Sequence, residues 1–82
     1  MLYLGENKNQ PMRTAAITVD PETMGGEPVF TGTRVPIQSM WDYLMTGETL
    51  DEFLENFPSV RREQALEVLA LADDLVKKAA AA

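Results

Sequence analysis

The run Asp20–Pro36, DPETMGGEPVFTGTRVP, constrains the fold of this chain more than any other stretch. It gathers Gly25-Gly26, Pro28, Gly32-Thr33-Arg34 and Pro36 into seventeen residues. Glycine reaches positive φ without steric cost, and proline holds φ near about −65°. Such a run dictates a turning backbone path and breaks any long helix or strand through it. Two readings of that path stand together: a pair of turns joining a short strand to a helix, or a shaped loop whose surface binds something.

Just before the run, Ile17-Thr18-Val19 is alternating and β-branched, which predicts a short strand ended by Asp20-Pro21. Asp20 and Pro21 suit the cap and first position of one helical turn over Pro21–Met24, stopped by Gly25 or Gly26. Pro28–Val35 reads as two short strands about a Thr31-Gly32 turn, a hairpin too small to stand without something to pack on.

From Pro36 the period becomes helical. Ile37, Met40, Trp41 and Leu44 share one face, Gln38, Ser39 and Asp42 lie opposite, and Gly47 ends the helix. Tyr43 and Met45 lie off the stripe, directed beneath the hairpin or toward a dimer contact. Thr49-Leu50-Asp51-Glu52 is a capping box that opens a second helix with Leu50, Phe53, Leu54 and Phe57 on its apolar face; Pro58 closes it. A third helix runs from about Arg61 to Lys78 with Ala65, Val68, Leu69, Ala72, Leu75 and Val76 as its buried stripe. Lys77 and Lys78 suit the negative end of its dipole, and Ala79–Ala82 is expected to fray.

Eighty-two residues make one small domain with a marginal core. The sequence has neither cysteine nor histidine, which excludes disulfides, a Cys/His zinc site and histidine-based catalysis. A cysteine-free chain fits a reducing cytoplasm. The remaining staple is self-association or a partner, and unpaired strand edges at Ile17–Val19 and the hairpin point to a homodimer. No apolar run spans a bilayer, so no membrane role is expected. The opening MLYLGENKNQ lacks the basic start and length of a signal peptide, so residues 1–15 read as a flexible arm ahead of a domain over 16–82. The net charge of −6, from seven basic and thirteen acidic residues, argues against coating nucleic acid by bulk electrostatics and leaves room for a local basic contact.

No catalytic constellation is present, so the chain is expected to be no enzyme and to need no metal or cofactor. Asp73-Asp74 and Glu52/Glu55 fall on outward helix faces, and Gly25-Gly26 lacks the spacing and following lysine of a phosphate loop. What remains is a helix-turn-helix outline, with helices two and three joined only by Phe57-Pro58-Ser59-Val60. In that geometry the start of helix three meets the major groove, carrying Arg61, Arg62 and Gln64. Arginine grips guanine and glutamine grips adenine, each with two hydrogen bonds. Arg34 on the hairpin stands where a small wing meets a duplex. Glu63 and Glu67 share the polar side and repel phosphate, and the same outline occurs in helical domains that never touch DNA. Leu66 is an apolar residue on the polar side, near Arg62, Asp73 and Lys77. With Lys77 and Lys78 it marks a candidate face for another protein.

On Asp20-Pro21, Gly25-Gly26, Pro28, Gly32-Thr33-Arg34, Pro36, Gly47, the Leu50-to-Leu54 spacing and Phe57-Pro58, the chain resembles the domain-of-unknown-function family 433 over roughly residues 16 to 78. The family usually shows Tyr-Pro where Phe57-Pro58 stands, and often a Ser or Thr cap at Arg61. The resemblance implies a mainly α fold with a small β-element: a three-helix, homeodomain-like helix-turn-helix preceded by a short strand and hairpin. It implies a cytoplasmic VapB-type antitoxin that binds and silences a PIN-type ribonuclease toxin and represses its own operon with it. Such a nuclease holds magnesium or manganese on clustered carboxylates. An antitoxin stops it by covering the cleft or by a cation that competes with the metal, for which Arg61, Arg62, Lys77 and Lys78 are available. The alternatives are a stand-alone helix-turn-helix regulator and a plain dimeric adaptor. Operator binding through Arg34, Arg61, Arg62 and Gln64 is expected to be weak, given the acidity.

Overall fold

A threonine turn starts the sheet. The Thr14 hydroxyl accepts the amides of Ala16 at 3.2 Å and Ile17 at 2.9 Å, which folds the chain back on itself. The computed structural model describes residues 11–22 and 24–81. Strand β1 is Met12–Arg13, β2 is Ile17–Val19 and β3 is Val29–Phe30. They form one antiparallel sheet in the order β1-β2-β3, with Met12 opposite Val19 and Ile17 opposite Phe30. Helices α1 (Ile37–Met45), α2 (Leu50–Asn56) and α3 (Arg62–Ala81) follow.

Two expectations change here. Residues 12–13 belong to the sheet instead of the expected arm; residues 1–10 of that arm lie outside the described residues. Strand β2 is also the central strand, so Ile17–Val19 offers no open edge to a second copy.

The Pro- and Gly-rich run follows a turning path, as expected, with altered details. The Asp20 carboxylate accepts the amide of Glu22 at 2.9 Å, which makes a bend, and the single helical turn comes later, at Met24–Gly26. Met24, Gly25 and Gly26 have φ of 53°, 66° and 86°, a left-handed path that only the two glycines take without strain. Thr23, within the turn expected over Pro21–Met24, lies outside the described residues. The returning arm of the hairpin is not a strand. Phe30 N donates to Val35 O and Ile37 N to Pro28 O, both at 3.0 Å, but the pairing is a single bridge between Val29 and Pro36. Val29 and Pro36 are a non-hydrogen-bonded pair, so the missing Pro36 amide costs no ladder bond; the pairing ends because Ile37 opens α1.

The helix signals are borne out locally. Gly47 at φ 93° ends α1. The Thr49 hydroxyl accepts Glu52 N at 3.1 Å while the Glu52 carboxylate accepts Thr49 N at 2.7 Å, the complete capping box. Phe53 of α2 is fully buried at the centre of an aromatic cluster, with ring centroids 5.0 Å from Phe57, 5.5 Å from Tyr43 and 5.9 Å from Phe30. Tyr43 is therefore a packing residue, whereas Met45 is 81% exposed. Ala16, Phe30, Ile37, Met40, Val60, Ala65 and Val68 complete the core between sheet and helices.

The stripe on α3 holds only for its first half. Ala65 and Val68 are buried and Leu69 and Ala72 half-buried, but Leu75 and Val76 are each 67% exposed. Twenty helical residues extend about 30 Å, whereas α1 and α2 are nine and seven residues long. The helix outruns its neighbours. Ala79–Ala81 remain helical, and Ala82 lies outside the described residues.

Removing the α2 cap gives a direct check. Thr49→Ala should cost about 1 kcal/mol and lower the melting temperature by roughly 4–8 °C. The Thr49 amide, and then its hydroxyl, hold the Glu52 carboxyl below the usual range. A depressed folded pKa gives stability that is present above the unfolded pKa of about 4.3 and lost as pH falls through the folded value. Glu52→Gln should therefore flatten part of the acid limb in pH-dependent melts.

Candidate functional site

The start of α3 is organised from inside by Gln64. The Arg61 carbonyl accepts the amides of Gln64 at 3.0 Å and Ala65 at 3.2 Å, so Arg61 occupies the cap position of α3. Arginine has no acceptor with which to cap a helix. The Gln64 side-chain oxygen instead accepts the Arg61 amide at 3.0 Å, the returning half of a capping box. Its nitrogen donates to Thr31 O at 2.9 Å and Ala15 O at 3.2 Å. Only 4% of Gln64 is exposed.

This corrects the expected base-reading role of Gln64. The side chain points inward and its amide is engaged on both atoms, so it has no free edge to offer an adenine. Its spacing contained the signal. Gln64 lies four residues before Val68 and one before Ala65, within the buried side of the helix.

Because Gln64 holds Thr31, Ala15 and Arg61 together, it ties the turn that carries Arg34 to the start of α3. Arg34 and Arg61 are exposed, and neither is in an ion pair among the described residues. Arg62 is exposed too, but its guanidinium pairs with Asp51 in the first turn of α2. An anion approaching Arg62 must compete with that carboxylate. Pairing between exposed groups is weak, typically under about 1 kcal/mol, so the competition is winnable.

The expected partner-binding residues divide between two faces. Leu66 is 49% exposed, and Lys77 lies eleven residues on, within about 20° of the same line along the helix. Between them Asp73 pairs with Lys77 at 3.0 Å. Lys78 sits about 120° away from Leu66 and pairs with Asp74 at 3.0 Å. It borders a separate open groove of about 650 Å³ between α3, α1 and the sheet, with Leu71, Leu75 and Trp41 in its walls. Sequence reasoning marked Leu75 as core; Leu71 went unmarked although it continues the inward line from Gln64 and Val68. Among the described residues no group of three acidic side chains gathers as a metal site would.

The fold and surface define a small helical domain built on a three-stranded antiparallel sheet, with an arginine-bearing end and two distinct faces on its last helix. Residues 17–72 match the family described as protein of unknown function DUF433, and the chain belongs to that family. The match ends at Ala72, the last half-buried residue of α3. The chain is also similar to the uncharacterized protein y4eO of Sinorhizobium fredii, with 35% identity over 48 residues. That alignment covers 58% of this chain and 22% of the relative, so the chain matches about a fifth of that protein's length. No solved structure matches the chain.

The internal role of Gln64 makes a stability prediction. Gln64→Leu leaves the Arg61 amide and two carbonyls without partners and should cost about 2–3 kcal/mol in denaturant unfolding. Arg34→Ala and Arg61→Ala, both on exposed side chains, should stay within about 0.5 kcal/mol of the parent.

Proposed function

We propose that this chain is the antitoxin of a type II toxin–antitoxin pair, which binds and silences a PIN-type ribonuclease and, as a homodimer, contacts its own operator through a homeodomain-like helix-turn-helix. The family resemblance supplies the pairing with a nuclease. The observation that carries partner binding is Leu66, half exposed on the same helical line as the Asp73–Lys77 pair, on a face that the described residues leave uncovered. An exposed apolar side chain on an otherwise charged helix face suits a contact whose centre dries on binding and whose rim stays polar. A magnesium-dependent nuclease presents clustered carboxylates, and Lys77 at the rim is a cation that such a cleft would attract.

The contact should be sensitive to charge. In co-expression with the adjacent reading frame, Leu66→Asp should leave circular dichroism unchanged and weaken the pulled-down complex at least about tenfold. Recovery equal to the parent's would reject this face.

The operator role is supported by the tie that Gln64 makes between the Arg34 turn and the start of α3. Bidentate base contacts supply roughly 1–3 kcal/mol each, whereas phosphate contacts supply most affinity, and this chain has thirteen acids against seven bases. Binding should therefore be weak for the chain alone and steeply salt-dependent. Arg61→Ala with Arg62→Ala should abolish the operator shift, while Lys77→Ala, on the outer face at the far end of α3, should barely change it. The same tie favours a second reading, a stand-alone regulator; a chain that shifts its promoter equally well without any partner, and retains no nuclease in pull-down, supports that reading instead.

A further inference from the structure

Among the described residues, nothing buries the second half of α3. None of residues 71–81 is buried. An isolated helix of that length is marginal in water, and its two ion pairs, Asp73–Lys77 and Asp74–Lys78, each contribute only tenths of a kcal/mol. Leu71 at 47% exposure and Leu75 at 67% open onto the groove, whose other walls include Trp41, Ile17 and Met12, the last 45% exposed. This is a continuous apolar trough beside an overhanging apolar helix.

We propose that a second copy of this chain occupies the groove, the two α3 helices crossing antiparallel about a two-fold axis near Leu75. The proposal takes up the homodimer of the reading above and names its interface. Charge selects the occupant. Asp74 and Lys78 stand one turn apart on the groove's rim, and a two-fold between them sets Asp74 of each copy against Lys78 of the other. The rim, with Glu27 as its other charged group, carries a net charge of only −1, whereas the whole chain carries −6. Two copies therefore meet across a rim that is close to neutral, and a strongly basic partner finds no acidic cluster to hold it here. The same antiparallel pairing lays Leu71 against the small Ala79–Ala81 end of the partner helix, which permits close approach. Leu66 and Lys77 remain on the outer side of α3, free for a different protein.

Sedimentation velocity of the full chain at high micromolar concentration tests this. The parent should sediment at twice its 9.1 kDa mass. Leu75→Asp should raise the dimer dissociation constant at least about tenfold with its helical circular dichroism retained, because a charge enters an apolar contact. Leu75→Ala provides a gentler variant with the same direction of change. Leu66→Asp adds the same charge on the outer face and should stay dimeric. Asp74→Lys and Lys78→Asp should each weaken self-association, and mixing the two variants should give a heterodimer in native mass spectrometry. A monomeric parent overturns both the homodimer and its interface. A dimeric parent whose Leu75→Asp variant is equally dimeric, or charge variants that do not pair on mixing, overturns the interface alone; neither result bears on nuclease binding.

Discussion

A single buried amide joins three separate backbone segments of this domain. Gln64 reaches from the first turn of α3 to the carbonyls of Ala15 and Thr31 and receives the amide of Arg61. Each of these backbone groups belongs to a different segment: the β1–β2 turn, the loop after β3, and the cap of α3. Apolar packing is non-directional and would hold these segments together without fixing their mutual orientation. Hydrogen bonds with three fixed partners do fix it. The exposed Arg61 is bonded to Gln64 through its own amide, and the exposed Arg34 is linked to the same side chain through Thr31, three residues before it.

The rest of the core is small and aromatic. Phe53 contacts Phe30, Tyr43 and Phe57, and so links the sheet, α1 and the end of α2 through one ring. That arrangement uses the bulk available in a short chain, since aromatic rings bury much area with few torsions to order. Among the described residues, the core buries α3 at its first half alone. Beyond Ala72 the helix departs from the core, which separates its surface into an outer face with Leu66 and a groove face with Leu71 and Leu75. The described core is too short to cover a helix this long, and its second half stays exposed.

Features encoded over a few residues were legible in the sequence. The Thr49–Glu52 box, the Gly47 stop and the β2 strand each depend on neighbours within about four positions. The expected β1-free arm failed because Met12-Arg13 has no periodicity of its own; its pairing is imposed by the Thr14 turn. The second arm of the hairpin failed because the chain enters α1 at Ile37, directly after the single Val29–Pro36 bridge. Gln64 was misjudged because a polar residue at a helix start resembles a reading position, although its phase with Val68 points inward. Leu75 and Val76 were misjudged for a different reason. Periodicity identifies an apolar face and says nothing about whether the same chain is long enough to cover it.

The role of Gln64 is the claim on which the site depends most, and proton exchange of its side-chain amide measures it directly. In nuclear magnetic resonance of the intact chain, the two Gln64 side-chain amide protons should exchange with solvent far more slowly than those of the exposed Gln38, as protons locked onto Thr31 and Ala15 carbonyls must. Exchange as fast as that of Gln38 would show Gln64 open to solvent and would remove the internal tie between the two arginine-bearing segments.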